Sequence, residues 1–549
     1  MQVQNIFQQD EIITFENYLN KMGIDNIQKY IKPPLTVLDS CYIYDNIREC
    51  VNIMKFHILA NDRIAFIIDP DMDGICSSYM GYKYFKLQGV KKIRPFIQNG
   101  KERGLASESL RQQILNWQPD LIIIPDAGTN SAEWEDEFID KDIDICVCDH
   151  HNAKQGEVCK RAVVVNNTMN QFECNRSLSG TGVMFKVLQA LDYEMGTKYS
   201  NQFIDLVGIS IISDSMDVRT YENRWFLKYI LNDKEHIKNL FMYELFDNLL
   251  DDTYTQRDIA FRIVPLFNSV IRCGTLEDKQ NLFMAFCGKN IEDTIKMCQH
   301  YHTEQVNRVN KFIEHHQEEI DSQSDSKITI IDAKDVPQAF SGLIAGRISG
   351  LTNKPCIVGK SMGGELGGSF RGNISIDVVQ DLPHITFCGG HENAFGIRID
   401  TSKSQNLDDL RAEIDKMDIS TIPTVIASFS ANKLQMGIFN EFVGHDDLWG
   451  KELDKPTFYV YNIKVDSSDI KVLGKKEDTI KLSLDGYDIM FFKLTEEKKA
   501  MFHLDENVEL NINIVGSVNI NEYYNRRTNQ IIVDNFEIKV IENSFEDLM

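Results

Sequence analysis

Ile67-Ile68-Asp69-Pro70-Asp71-Met72-Asp73-Gly74 is the stretch on whose reading the fold turns. Ile64, Ala65 and Phe66 precede it, so an unbroken apolar run ends in three alternating carboxylates and a glycine. Runs of this kind mark strands buried on both faces of a parallel sheet, and in open α/β sheets ligands sit just beyond the carboxyl ends of such strands. Carboxylates at i, i+2 and i+4, with a glycine permitting the tight turn, converge only if something positive lies between them. A divalent metal ion meets that requirement.

The pattern recurs. Leu121-Ile122-Ile123-Ile124-Pro125-Asp126-Ala127-Gly128 is a second apolar run ending in Asp, and Ile143-Asp144-Ile145-Cys146-Val147-Cys148-Asp149-His150-His151 a third, ending in Asp-His-His. Leu206-Val207-Gly208-Ile209-Ser210-Ile211-Ile212-Ser213-Asp214 supplies a fourth. Read as strands, the four runs deliver carboxylates and imidazole from their carboxyl ends into one cleft. Oxygen-rich ligation with one or two imidazoles suits manganese or magnesium better than a closed zinc site.

The chain has 549 residues, 43% hydrophobic and 26% charged, which is length and composition enough for two to four globular domains. No stretch of about twenty apolar residues exists, and the N-terminus lacks a basic-then-apolar leader, so a cytoplasmic protein is expected, with no membrane partner. The 12 cysteines are scattered, several inside apolar runs, as reduced core residues are. Lys and Arg number 58 against 82 Asp and Glu, a formal charge of −24. That balance disfavours a broad basic surface for duplex nucleic acid but leaves room for a narrow cationic channel for a single strand.

Residues 1–40 read as an N-terminal helical lead-in, and 41–225 alternate apolar strands with amphipathic helices, the signature of a parallel sheet with crossover helices. Residues 226–320 are helical in period and end in a long linking helix. A second α/β segment, 321–454, holds the glycine-rich stretches Gly363 to Gly372 and Cys388-Gly389-Gly390-His391, where backbone can approach a phosphate closely beside Arg371 and His391. From 455 to 549 five short alternating strands suggest a small closed barrel of OB type, with Tyr523, Tyr524, Arg526 and Arg527 on a turn suited to a nucleotide chain.

Asp-x-Asp-x-Asp-Gly, Asp-x-Gly, Asp-His-His and a lone Asp, followed by a second domain with Gly-Gly-His, resemble the DHH phosphoesterase superfamily, and within it the RecJ single-strand-specific exonucleases. The resemblance runs from about 45 to about 540, and includes Leu178-Ser179-Gly180-Thr181-Gly182-Val183 and Phe340-Ser341-Gly342-Leu343-Ile344-Ala345-Gly346-Arg347. It implies a DHH catalytic domain, a helical connector, a DHH-associated α/β domain and a terminal OB-like barrel. It also implies two metal ions, normally Mn2+ with Mg2+ as the substitute, held by Asp71, Asp73, Asp126, His150 and Asp214, with Asp126 bridging and Asp69 completing or supporting one shell. His151 would face the scissile phosphate and Asp149 would orient a ligand from behind. Arg347, Arg371 and His391 fall where the family grips nucleotide phosphates, with Gly389, Gly390, Arg272 and Ser341 assigned to the same surface. Asn393-Ala394-Phe395-Gly396 and Ser269-Val270-Ile271 depart from the family pattern, in places that bear on pocket shape and not on the metal ligands.

The implied activity is hydrolysis of single-stranded DNA by a two-metal exonuclease, 5′-to-3′ and to mononucleotides, in DNA repair or recombination, with replication or repair proteins as partners. The alternatives are a phosphodiesterase for short oligonucleotides or a cyclic dinucleotide, and a non-catalytic replication scaffold. The last predicts lost ligands, and all are present.

Overall fold

The computed structural model describes residues 1–549 except 9–10, 98–103, 337–338, 404, 419–422, 434–435, 485, 505, 524–525 and 542–549. The chain divides into two compact units. One comprises Met1–Val264, Phe286–Lys289 and Ile422–Met549, the other Pro265–Ala285 and Asn290–Thr421.

In the first unit the predicted parallel sheet is present. Its strands are β1 (Ile64–Ile68), β2 (Ile93–Ile97), β3 (Leu121–Pro125), β4 (Asp144–Asp149) and β5 (Val163–Asn166), in the order β2-β1-β3-β4-β5 and all parallel. Every residue of β1 and β3 is buried, which is why these strands carry no polar alternation. The helices are α1 (Ile47–Ala60), α2 (Met72–Leu87), α3 (Glu108–Trp117), α4 (Ala132–Ile139), α5 (Gly180–Met195) and α6 (Ile204–Ser213). Ala65, Ile67, Ile122, Ile124, Ile145 and Val147 form one face of the sheet and pack on Leu110 and Ile114 of α3 and Phe138 of α4. The opposite face meets α2, where Phe66 and Phe85 stand edge to face at 5.5 Å.

Leu206 to Asp214 corrects the sequence reading. It is not a fourth strand: it lies in α6, with Asp214 as the residue that ends the helix. Residues 205–211 are buried on all sides, and an apolar run with no polar face has no period to separate a strand from an enveloped helix.

The terminal segment of the same unit is also corrected. Strands β11 to β17 are Ser428–Ser430, Thr457–Asp466, Lys471–Leu473, Thr479–Leu484, Tyr487–Phe491, Glu509–Tyr523 and Arg526–Val540, after five in the second unit, β6 (Thr329–Asp332), β7 (Cys356–Met362), β8 (Glu365–Arg371), β9 (Ile385–His391) and β10 (Ala394–Asp400). The order β11-β12-β16-β17-β15-β14-β13 is an open seven-stranded sheet, not a closed five-stranded barrel. Its edges, β11 and β13, are three residues long, too short to pair with each other and close it. Tyr524 lies outside the described residues, as do the side chains of Tyr523 and Arg526, while Arg527 is exposed on β17. The segment leading into this sheet is tied to the parallel-sheet half of the unit by Arg224, whose fully buried guanidinium donates to the Asp447 carbonyl at 2.8 Å and to its carboxylate at 2.5 Å.

The second unit is built on the mixed sheet β9-β10-β8-β7-β6, in which only β6 and β7 run parallel, with helix α7 (Ser341–Thr352) packed on it.

All 12 cysteines are free, and Cys146 and Cys148 are buried, as reduced core residues should be. Among the described residues no helix is long and apolar enough to cross a membrane.

Candidate metal centre

The carboxyl ends of β1, β3 and β4 and the end of α6 meet at one place. Asp69 is buried at the end of β1, and Asp71 caps α2 by accepting from the Gly74 amide at 2.9 Å. A Cβ on Gly74 would stand 2.6 Å from Cβ and the carbonyl oxygen of Asp69, so this turn admits only glycine. Asp73, one residue into the helix, accepts from the amides of Gly180 at 2.7 Å and Thr181 at 2.9 Å. The N-terminus of α5 therefore holds this carboxylate with amides that have no partner inside their own helix. The Thr181 hydroxyl donates to the Asp73 carbonyl at 3.1 Å and lies 2.9 Å from that of Ser210, one turn before Asp214.

Asp126 follows β3 with φ +62°, a left-handed backbone that Asp tolerates better than most residues. A Cβ on Gly180 would collide with Asp126 Oδ1, so the start of α5 seats this side chain as well. His150 Nε2 stands 3.2 Å from Asp126 Oδ1, 3.3 Å from Asp214 Oδ2 and 3.9 Å from Asp73 Oδ2. One oxygen each from Asp69, Asp71 and Asp126 forms a second set whose members lie within 4.8 Å of one another, and Asp126 belongs to both groups.

Electrostatics at this point demand a cation. Burial pushes the Asp126 carboxyl far above the usual range, and Asp73, Asp71, Asp69 and Asp214 push it further. Burial pulls His150 down against the field of Asp73, leaving a neutral imidazole with a lone pair to give. Asp126 Oδ1 and His150 Nε2, 3.2 Å apart, are buried with no hydrogen-bond partner among the described residues. Unmet buried acceptors among converging acids fit a divalent ion with hard ligands.

Asp149 does different work. Its Oδ1 accepts from the His150 amide at 2.7 Å, the His151 amide at 3.2 Å and His151 Nδ1 at 2.8 Å, and its Oδ2 from the Thr129 amide at 3.0 Å. Burial alone would raise this carboxyl, but the bonds from His151 and Thr129 outweigh it and hold the group below its usual range. Asn166 Nδ2 and Thr168 Oγ1 donate to the His151 carbonyl at 2.9 and 3.3 Å, so the His-His turn is held from both sides.

Two family models match the chain: the DHH family, N-terminal domain, over residues 63–211, and the RecJ OB domain over residues 429–535. The chain carries a DHH-family domain. The SPbeta prophage-derived protein YorK of Bacillus subtilis (strain 168) is 26% identical, over 97% of this chain and 96% of its own. The single-stranded-DNA-specific exonuclease RecJ of the same organism is 23% identical over 88% of this chain, which spans 62% of the longer RecJ. Among solved structures, RecJ of Thermus thermophilus in complex with Mn2+ shares the fold at TM-score 0.74 and 17% identity, over 96% of this chain and 76% of that one.

Beyond the DHH-family domain, the remaining predicted residues lie in the second unit. Arg371 ends β8 and runs along α7. A Cβ on Gly342 would meet its Nη2 at 2.5 Å, and one on Gly346 its Cγ at 3.8 Å, so the glycine spacing of that helix is the groove the arginine lies in. Burial lowers the affinity of Arg371 for its proton, and neighbouring Arg272 lowers it further; Arg272 is lowered by its own burial. The Ser341 and Ser369 hydroxyls are 2.9 Å apart beside them. Two partly desolvated guanidinium groups that feel each other's charge have the chemistry to take an anion. Arg347 is exposed further along α7, and among the described contacts none joins it to Arg371. Gly389 and Gly390 lie on β9 paired with Gly396 and Phe395, and the His391 side chain lies outside the described residues.

Gly180, Thr181, Ser210, Asn166 and Thr168 carry no role in the sequence reading. Ser179-Gly180-Thr181-Gly182 before an apolar run is a helix-start signal and could have flagged the first two. No local signal marks the others.

Proposed function

We propose that this protein is a metal-dependent exonuclease that degrades single-stranded DNA, 5′-to-3′, to mononucleotides, in the cytoplasm and in the service of DNA repair or recombination. One observation carries the reading: Asp126 Oδ1 and Asp214 Oδ2 both lie within 3.3 Å of His150 Nε2, although the two acids stand 24 residues before and 64 residues after that histidine in sequence. The likeness of most of this chain to YorK and to the single-stranded-DNA-specific exonuclease RecJ, with the OB-domain match, supports this class of substrate.

Asp71, Asp73, Asp126, His150 and Asp214, with Asp69 beside them, would hold two divalent ions, Mn2+ or Mg2+. When bound, such ions lower the pKa of water from about 15.7 towards about 7 and polarise a phosphoryl oxygen. The chain's own groups do the rest. Asp73 accepts from the Gly180 and Thr181 amides at the start of α5, so the position of its carboxylate is fixed by the fold. Ionised Asp149 only accepts, so His151 Nδ1 carries the proton and Nε2 is the ring atom that would meet a phosphate oxygen. Arg272 and Arg371 would bind phosphates of the strand, with Ser341, Gly389, Gly390, His391 and Arg347 on the same surface.

Incubation with Mn2+ and single strands labelled at either end tests this, with Asp126→Ala as the control. Mononucleotides released from the 5′ end by the native protein alone are expected. Cleavage confined to oligomers of a few nucleotides would instead assign the phosphodiesterase role, and equal inactivity of both proteins a scaffold.

A further inference from the structure

The first unit contains a cavity of about 440 Å3 that uses none of the proposed metal ligands. Its walls are Ile211, Met216, Phe261 and Trp449, and Arg257 and Lys451 stand at its exposed rim. Three features distinguish it from a packing defect. Trp449 is 7% exposed, and its Nε1 is buried with no hydrogen-bond partner among the described residues, a donor that wants an acceptor. Its ring is braced by Phe15 and Tyr18, edge to face at 6.3 and 6.2 Å, so it cannot turn away to satisfy that donor elsewhere.

Ile259–Ile263 forms a π-helical turn, a rare form frequent at functional positions, and Phe261 within it is 71% exposed with the Arg257 guanidinium 5.6 Å from its ring. The rim holds both signs: Asp446 and Asp454 line it with Arg257, Lys451 and Lys455, and Lys455 is paired with Asp446 at 2.7 Å. Exposed Lys451 pairs at 3.2 Å with exposed Glu452, a contact weak enough to yield to a phosphate, while Arg257 makes no ion pair among the described residues.

We infer that this cavity is a binding site for one nucleotide unit, its flat base between the aromatic and aliphatic walls and its phosphate at Arg257 and Lys451. The apolar walls and the indole N–H match a heterocycle carrying an acceptor, and the rim matches a phosphate. Ser215 and Met216, which follow Asp214 directly, line it. Occupancy is thus felt on the loop that bears a proposed metal ligand. The nucleotide comes either free, as a released mononucleotide, or as part of a bound strand.

Photo-cross-linking of the full chain with chelator present separates these and needs no catalysis. The probes are 5-iodo-2′-deoxyuridine monophosphate and a short single strand carrying one 5-iododeoxyuridine, with labelled peptides mapped by mass spectrometry. Label on Trp449, Phe261 or Met216, reduced about tenfold or more in an Arg257→Glu/Lys451→Glu double variant, is expected, as loss of charge-assisted contacts implies. Both substituted residues are exposed, so the fold survives; Ala260→Trp, which fills the cavity, is the second variant. Label from the free nucleotide assigns a product site, and label from the strand alone a strand site. Label found only elsewhere, or undiminished in both variants, overturns the inference. Mn2+-dependent cleavage, assayed on the same preparations, fails or succeeds independently of the labelling.

Discussion

Asp126 concentrates the chemistry at the scale of single residues: left-handed backbone, full burial and four neighbouring acids around one carboxyl. Asn accepts the same backbone and removes the charge. Asp126→Asn should therefore unfold at a higher temperature than the native protein without metal, and should lose the rise in melting temperature that Mn2+ brings. Asn166→Ala, which removes the shorter of the two bonds to the His151 carbonyl, should cost about 10–100-fold in activity or metal affinity, as loss of a supporting contact does, measured by Mn2+ titration. Glu135 makes a separate prediction. Burial in α4 pushes its carboxyl up to about 8, and both carboxylate oxygens lack partners among the hydrogen bonds described. The folded value lies above the unfolded one, so its contribution is fully present below about pH 4.3 and is lost as pH rises through about 8. Glu135→Gln should flatten the decline of stability between about pH 5 and about pH 8, read by urea unfolding, by a few kcal/mol at most.

At the scale of elements, the start of α5 and the face of α7 use glycine for the same purpose with different tolerances. Gly180→Ala drives a Cβ to 2.7 Å from the Asp126 Cα, a backbone atom that cannot retreat, so a loss of about 1–3 kcal/mol in stability is expected together with loss of metal binding. Gly342→Ala meets only the far end of the Arg371 side chain, which can swing aside. That variant should fold normally and bind single strands more weakly, which melting and binding measurements on one preparation distinguish. The helix α6 is tied to the same place: the Ser210 hydroxyl, one turn before Asp214, donates to the Thr181 hydroxyl at the start of α5.

Across the whole molecule, a charge of −24 confines any nucleic-acid contact to small cationic places such as Arg272 with Arg371. Few phosphates can then be neutralised, so single-strand affinity should fall gently with salt, with a slope of about −0.7 per contacted phosphate. A steep slope, indicating many contacts, would count against the proposed mode. Metal should act as a folding ligand of the first unit: at about 100 times its Kd, Mn2+ should add about 2.7 kcal/mol to the unfolding free energy, and a chelator should remove it.

The parallel sheet and the acids and histidines at its strand ends were legible in the amino-acid order, because a strand buried on both faces writes a continuous apolar run whose last residue is where its ligand begins. Asp69, Asp71, Asp73, Asp126, Asp149, His150 and His151 all announce themselves in this way. The helical state of Ile204–Ser213, the open edge of the terminal sheet, the amides of Gly180 and Thr181 on Asp73, and the pairing of Arg272 with Arg371 were decided only in three dimensions. Each depends on groups brought together from distant parts of the chain, and local periodicity carries no record of such partners.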